Sequence, residues 1–436
     1  MYVHSLKLTN VKALKAFQQS FQRPDGSYAG WNVFVGGNCT GKSTVLKSLA
    51  LALVGPDDGL QLAGRGAGWI SLGEMEATAE VEVTFDTTAD KFSPEGKNPN
   101  SPISFGVRWA ADSQSPGTGV PQFGSARNPQ TAKKTSEIRG PWNPNTAGWF
   151  VAGYGPKRRL TGASPDAMRD MRGEGRIGAL VTLFREDAAL SEAEEWLKKR
   201  EFQALQTKNG ARELLEYVKA LLADDLMPLG FAVSRIEPEQ VFLKSRQGIE
   251  LPMRDLSDGC RTVYALVLDI VHQMAQDFGL DAVFTIDENG KPKVKSAGVV
   301  LIDEVETHIH PSWQLKIGFW LKEHFPNVQF FISTHSPLIL RAADEGGVFV
   351  LPSEGDAHTV RRLTTEELDR VRLGRAEKVL LGTAFGLSST RGKWADARIR
   401  RFRDLDAKRR SPVGLSATEQ AEYTELHQQM ELAYEN

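Results

Sequence analysis

Long apolar runs are missing from this chain. No stretch approaches the roughly twenty consecutive apolar residues that span a bilayer, so no transmembrane helix is expected. The N-terminal "MYVHSLKLTN" has no apolar core of the kind that directs secretion, which sets the expectation of a cytoplasmic protein. Cysteine is scarce: Cys39 and Cys260 are the two in 436 residues. That excludes a disulfide scaffold and fits a reducing compartment. Net charge is scarce as well, 53 Lys+Arg against 55 Asp+Glu for a formal −2. The whole chain is therefore no polycation, and any contact with nucleic acid needs a local patch. One such patch is "RGKWADARIRRFRDLDAKRR", residues 391–410, whose plain reading is a solvated helix face. What is present, 41% hydrophobic and 25% charged residues, is ordinary for a globular chain of one large or two medium domains.

Along the chain, "YVHSLKLTNVKAL" alternates apolar and polar residues and predicts an edge strand. "WNVFVGG" is a short strand entering a glycine-rich loop, and "KSTVLKSLALALVG" continues with helical spacing to Gly55-Pro56. "EATAEVEVTF" and "PISFGVRW" predict a strand pair. Residues 111–147 are rich in Ser, Pro, Gly, Asn and Thr and are expected to form a long surface insertion. "GWFVAGYG" is a strand running into a basic turn. Residues 176–228 are helical in pattern with a break at "TKNGA", giving an arm of two legs of about 25 residues each, too short for a long coiled coil. "FAVSRIEP", "QVFLKS" and "IELPM" are strands, and "LSDGCRTVYALVLDIVHQMAQDFG" opens a long helix. "SAGVVLIDE" and "VQFFISTHS" are buried strands separated by a helix at "SWQLKIGFWLKEHF". Strands alternating with helices imply an α/β fold with a mostly parallel sheet, joined here by an antiparallel β part. The division expected is a main body over 1–365 and a helical tail over 366–436.

The stretch "GGNCTGKST" matches G-x-x-x-x-G-K-[ST] in full and lies between a strand and a helix, the context the motif requires. Gly36, Gly37, Asn38, Cys39, Thr40 and Gly41 form a loop whose N–H groups can point at phosphates. Lys42 supplies charge to the β- and γ-phosphates, Ser43 a hydroxyl ligand for Mg²⁺, and Thr44 continues into the helix. The helix turns its positive end to the same anion. ATP and Mg²⁺ are the cofactors expected.

"GVVLIDE" supplies the complementary acids. Asp303 emerges at the C-terminal end of a buried strand, where ligands bind in such sheets, and is expected to hold Mg²⁺ through water. Glu304 follows and can polarise the attacking water, a role worth about 10²–10⁴-fold in rate. His335, at the end of the next strand, can contact the γ-phosphate or that water.

"LSDGCR", residues 256–261, is a second small-residue turn opening a helix. One subunit does not need two phosphate-binding helix ends for one ATP. Two facing subunits do, each presenting Ser257, Asp258 and Gly259 to the nucleotide held by its partner.

The order GGNCTGKS, LSDGCR, LIDEVETHIHP and STHS resembles the ABC-type ATPase heads of the SMC, RecF and OLD group over roughly residues 1–350. The resemblance implies an ABC-type head with Walker A, signature, Walker B and switch-histidine roles for these residues. "ETHIHPSWQ" looks like the D-loop of the compact AAA_21-like branch, which includes defence ATPases such as PtuA of Septu systems and AriA of PARIS systems. "GYGPKRRL" and "LLGTAFGLSS" look like that branch too. The signature departs from the group, with Asp258-Gly259-Cys260 in place of a Gly-Gly-Gln run, and no Q-loop glutamine is placed. No acidic cluster follows His335, which speaks against the Toprim nuclease of OLD proteins.

Two constellations stay open at the sequence level. His308 and His310 form an H-x-H that suggests zinc, or lie at the dimer seam where the family places this segment. Lys157, Arg158 and Arg159 bind phosphate of nucleotide or DNA, or form a solvated turn. By resemblance, the expected function is an ATP-sandwich homodimer, or a higher assembly of dimers, switching a separate effector protein, a nuclease, in prokaryotic defence. The rivals are a RecF-like clamp acting on DNA and an ATP-gated scaffold for another effector; a membrane partner is not expected.

Overall fold

The computed structural model describes all residues except 65–67, 86–89, 91–101, 113–114, 126–141, 143–147, 159–161, 172–175, 207–208, 353–358 and 435–436. Its strands are β1 (Tyr2–Val11), β2 (Leu14–Ser20), β3 (Gly30–Val35), β4 (Glu76–Thr84), β5 (Ile103–Asp112), β6 (Ser115–Ser125), β7 (Val151–Tyr154), β8 (Ala232–Ile236), β9 (Val241–Lys244), β10 (Glu250–Pro252), β11 (Phe284–Ile286), β12 (Pro292–Val294), β13 (Gly298–Ile302), β14 (Val328–Ser333), β15 (Val348–Val350) and β16 (Arg361–Arg362). Two sheets organise the main body. One is six-stranded, ordered β16-β15-β3-β14-β13-β7, and every pairing in it is parallel except β15 with β16. The other is five-stranded and antiparallel, ordered β2-β1-β4-β5-β6. Small sheets β10-β9-β8 and β11-β12 complete the set.

The P-loop helix, Lys42–Val54, is buried from Leu49 to Val54 without interruption. A helix apolar all round must be covered on all sides. Leu46 and Leu49 share one core with Val3, Leu6 and Leu8 of β1, Val81 of β4 and Phe34 and Phe331 of the parallel sheet. The central strands β13 and β14 are buried at every position, as expected of strands covered on both faces. The antiparallel sheet instead alternates, as in the strict in–out pattern of β4.

Four expectations need correction. The first strand is not an edge: β1 lies between β2 and β4. Asn10 and Lys12 take positive φ (54° and 53°), folding the chain back so that β2 occupies the edge. The expected surface insertion over 111–147 contributes β6, paired along β5; much of the rest lies outside the described residues. The arm legs are 15 residues each, Ser191–Leu205 and Asn209–Ala223. They do not stand free: both pack on the helix Asp258–Phe278, burying Trp196, Leu197, Leu215, Val218 and Leu222. Finally, "SWQLKIGFWLKEHF" is broken at Leu315 and Lys316 into Pro311–Gln314 and Ile317–His324.

The chain divides into units Met1–Gly374 and Arg375–Asn436. In the second unit, helices Lys393–Arg409 and Ala417–Tyr434 form an antiparallel pair. Arg398, Arg401 and Lys408 of the basic run pair there with Glu425, Glu422 and Glu419, and Phe402 stacks on Tyr423. Part of that basic patch is thus neutralised by its neighbouring helix. No helix among the described residues is long and apolar enough to cross a membrane.

Candidate functional site

The site forms where β3, β14 and β13 end side by side. From β3 the chain enters residues 36–41, then the P-loop helix. Gly41 has φ 99°, and a Cβ there would lie 2.8 Å from the Leu14 side chain. At Gly36 a Cβ would lie 2.8 Å from Thr40 Oγ1. The loop is a cradle that side chains would fill, which is how glycine permits this curl. Thr40 Oγ1 donates to the Gly37 carbonyl at 3.0 Å. Lys42 is buried, and its Nζ donates to the carbonyls of Gly36 at 3.0 Å and Gly37 at 2.7 Å. Burial lowers its pKa, while Asp303, Glu304 and Glu306 push in the other direction. The acids predicted from sequence are therefore brought to the predicted lysine.

β13 delivers those acids. Asp303 is 4% exposed and accepts a hydrogen bond from Ser333 Oγ of β14. Glu304 has φ 45°, an uncommon conformation for a residue with a Cβ. Such strain persists only where the surroundings over-determine it, and it clusters at functional sites. Here the Glu304 N–H donates to Ser333 Oγ at 2.8 Å, and its carbonyl accepts from Arg158 Nη2 at 3.1 Å. The Glu304 carboxylate accepts from Thr307 Oγ1 at 3.3 Å.

Three contributors escaped the motif reading. Ser333 has just been described. Glu306 accepts from Thr334 Oγ1 at 2.7 Å and from the His335 N–H, and so fixes the backbone that carries the imidazole. The available signal was the third acid of "DEVE", which faces small polar residues at the end of a buried strand. Arg158 is the third. It is 2% exposed, neither a solvated turn residue nor an open anion ligand. Its neighbour Lys157 is half-exposed and paired with Glu186, and Arg159 lies outside the described residues.

Ser257 and Asp258 are exposed at the N-terminus of the 21-residue helix Asp258–Phe278, the signature helix by resemblance. Ser257 makes no side-chain cap bond. A Cβ at Gly259 would collide with the carbonyl oxygen of His308, which has φ 66°. This turn therefore sits against the segment after the acids and is not among the groups that act on Lys42. His310 caps the short helix Pro311–Gln314, its Nδ1 accepting from the Ser312 N–H at 3.3 Å. Among the described residues no group of three His, Cys, Asp or Glu side chains is placed to hold a metal. Mg²⁺ needs none, because it takes one or two protein oxygens and completes its shell with phosphate and water. The buried Asp303 carboxylate and the Ser43 hydroxyl are the oxygen donors that fit.

A glycine cradle opening a helix, with acids at the end of a parallel strand one strand removed from it, is the site of a P-loop ATPase, on a fold like that of SMC heads. Comparison with known proteins agrees. Residues 157–341 match the AAA_21 model, described as "AAA domain, putative AbiEii toxin, Type IV TA system". The chain is similar to the Septu protein PtuA of Bacillus mycoides (strain KBAB4), 24% identical over 394 residues, covering 89% of this chain and 45% of that protein. It is also similar to the retron Vc95 probable ATPase of Vibrio cholerae serotype O1 biovar El Tor, 38% identical over 95 residues, covering 22% of this chain and 17% of that protein. The chain thus spans less than half the length of either relative. Among solved structures, an SMC head bound to the C-winged helix domain of ScpA superposes with a TM-score of 0.50 at 15% identity, covering 85% of this chain and all of that one, a likeness of fold alone.

Proposed function

We propose that this chain hydrolyses Mg-ATP as a sandwich dimer and acts as a nucleotide-driven switch in prokaryotic defence. The observation that carries the reading is the Glu304 turn: a strained acid, held by Ser333 and Arg158, beside a buried P-loop lysine. The loop N–H groups and the positive end of the P-loop helix bind the phosphates, and Lys42 neutralises the β- and γ-oxygens. When bound, Mg²⁺ supplies charge stabilisation at the transferring phosphoryl group. Ser43 and Asp303 would hold it. Glu304 orients the attacking water and takes its proton, and His335 faces the γ-phosphate or that water.

The second part of the reading is assembly. Ser257, Asp258 and Gly259 offer an exposed helix N-terminus that this chain's own P-loop does not engage. A second copy can present it to the nucleotide, so ATP at the seam favours the closed dimer and its hydrolysis releases it. The similarity to Septu and retron proteins supports a role in defence, and on this reading the switch acts against phage or plasmid in a prokaryotic cytoplasm. There it controls a separate effector, a nuclease.

The test uses Glu304→Gln held with Mg-ATP, and Lys42→Ala at an ATP concentration below its weakened affinity as the empty control. Sedimentation should show a dimer for the first alone. A nuclease retained from a host lysate by only one of the two baits would support the switch. DNA recovered with no protein would favour the RecF-like clamp, and a non-nuclease protein the scaffold.

A further inference from the structure

We propose that Arg158 is a positioning residue that sets the acidic turn and ties it to the helix carrying Ser257–Gly259; the proposal rests on the ATPase reading above. Its guanidinium faces main-chain carbonyls. Nη1 donates to the carbonyls of Gly155 at 2.8 Å and Asp303 at 2.9 Å. Nη2 donates to those of Glu304 at 3.1 Å and Val305 at 3.2 Å. Three consecutive carbonyls of one turn thus converge on one planar fork. The turn is also the one in which Glu304 takes a positive φ.

A buried cation needs a reason. Desolvation depresses the Arg158 pKa to about 10, against the pull of Glu306, Asp303 and Glu304. An apolar side chain of similar volume would fill the same space without that penalty. It would take the guanidinium's hydrogen bonds from the carbonyls of 303–305, leaving that of Glu304 only its bond from the Thr307 N–H, and remove a positive charge from three clustered acids. Lysine would not substitute either, because its ammonium is a point donor and cannot span four carbonyls as the fork does.

The same residue reaches the other half of the site. The Arg158 carbonyl accepts from Thr262 Oγ1, at 3.4 Å, one turn into the helix that begins at Asp258. Further along that helix, Asp269 accepts from the Tyr154 hydroxyl at 2.9 Å, and Tyr154 gives its carbonyl to the Asp303 N–H at 2.8 Å. The acids that act on this chain's own nucleotide and the turn offered outward therefore hang from one segment, residues 154–158. A shift of the outward turn is passed to the acids through Arg158.

The experiment compares wild type, Arg158→Lys, Arg158→Met and Thr262→Val in the full chain, reading kcat, KM, fluorescent-nucleotide affinity, ATP-dependent dimerisation and thermal midpoint. A misplaced catalytic group costs about 10²-fold in rate. Both Arg158 variants should lose about that much kcat, with KM and nucleotide affinity within about 3-fold of wild type. Thr262→Val should weaken dimerisation and leave nucleotide affinity unchanged. An Arg158→Met enzyme with wild-type kcat would reduce the residue to packing and overturn the proposal. If neither Arg158 variant folds, Thr262→Val decides: unchanged dimerisation and kcat would overturn it. Absence of turnover in wild type would overturn the ATPase reading and this inference with it, whereas wild-type turnover matched by Arg158→Lys would overturn the inference alone.

Discussion

Two helix N-termini in this chain follow glycine-bearing turns, and the fold treats them oppositely. Around the first, the residues that open the helix are engaged within the chain. Gly41 is covered by Leu14, Thr40 bonds back to Gly37, and Lys42 is buried against two loop carbonyls and faced by three acids. Around the second, Ser257 caps nothing and both Ser257 and Asp258 are exposed. Asp258 pairs locally with Arg261, and Gly259 is committed against the 308 carbonyl. The first turn is enclosed by its own chain. The second has the same chemistry without the enclosure, and on the reading above a second subunit supplies what is missing.

The largest effects are expected at the enclosed site. Glu304→Gln should lower the rate of phosphate release by about 10²–10⁴-fold while leaving ATP affinity within about 3-fold. Lys42→Ala should weaken ATP binding by about 10–10²-fold, from the roughly 1.5–3 kcal/mol of a hydrogen bond to a charged group. Titration with a fluorescent nucleotide, set against single-turnover phosphate release, separates the two. Equal losses of binding in both variants would erase the distinction between the acid and the lysine.

The open turn should behave in reverse. Ser257→Ala touches no bond within the chain and should change folding stability by no more than about 0.5 kcal/mol. It should nevertheless reduce ATP-driven dimerisation. Gly259→Ala must displace the helix start from His308 and should abolish the dimer with ATP binding retained. Sedimentation with Mg-ATP measures both. Loss of nucleotide binding by the isolated Ser257→Ala chain would mean that the second turn serves its own P-loop, and the comparison would collapse.

Much of the enclosed site was legible because its motifs are local. A glycine loop with Lys42 and Ser43, and an apolar strand ending in Asp303-Glu304, each carry their meaning within ten residues. The parallel order β3-β14-β13 was legible as a class, from strands alternating with helices. What escaped was contact between distant segments. Arg158 lies 145 residues from the Asp303 carbonyl it holds, and its triplet of cations looks like any exposed basic turn. Ser333 and Glu306 matter only because β13 and β14 are neighbours. The arm was misjudged for the same reason: its helical period showed legs but not the helix they cover, the one that starts at Asp258. Interior position for β1 depended on positive φ at Asn10 and Lys12, which side-chain alternation does not report.

A smaller and more geometric effect joins the two turns. Cys39 lies exposed in the first and Cys260, partly exposed, in the second. In the proposed sandwich they should face each other across subunits. A short thiol-to-thiol crosslinker should link them between chains, more with ATP than without. Cys39→Ser and Cys260→Ser chains should each fail alone and link when mixed. Direct oxidation requires Cα atoms within about 7 Å, so the spacer is the better probe. Linkage confined to one chain would place both turns at one nucleotide and contradict the sandwich.

The smallest effect tests the enclosure itself. Burial lowers the Lys42 pKa below 10.5, so its ammonium loses its proton earlier than an exposed lysine as pH rises. The charged form binds phosphate. Affinity should therefore be flat at neutral pH and decline on the alkaline side, at lower pH than an exposed lysine would impose. Lys42→Arg, whose guanidinium stays protonated throughout this range, should remove the decline even if its affinity is lower. Ser257→Ala should leave the decline untouched in the monomer, because the open turn contributes nothing to the lysine's surroundings. A wild-type profile that declines no earlier than that of an exposed lysine would mean that Lys42 is solvated like a surface residue. The first turn would then be no more enclosed than the second.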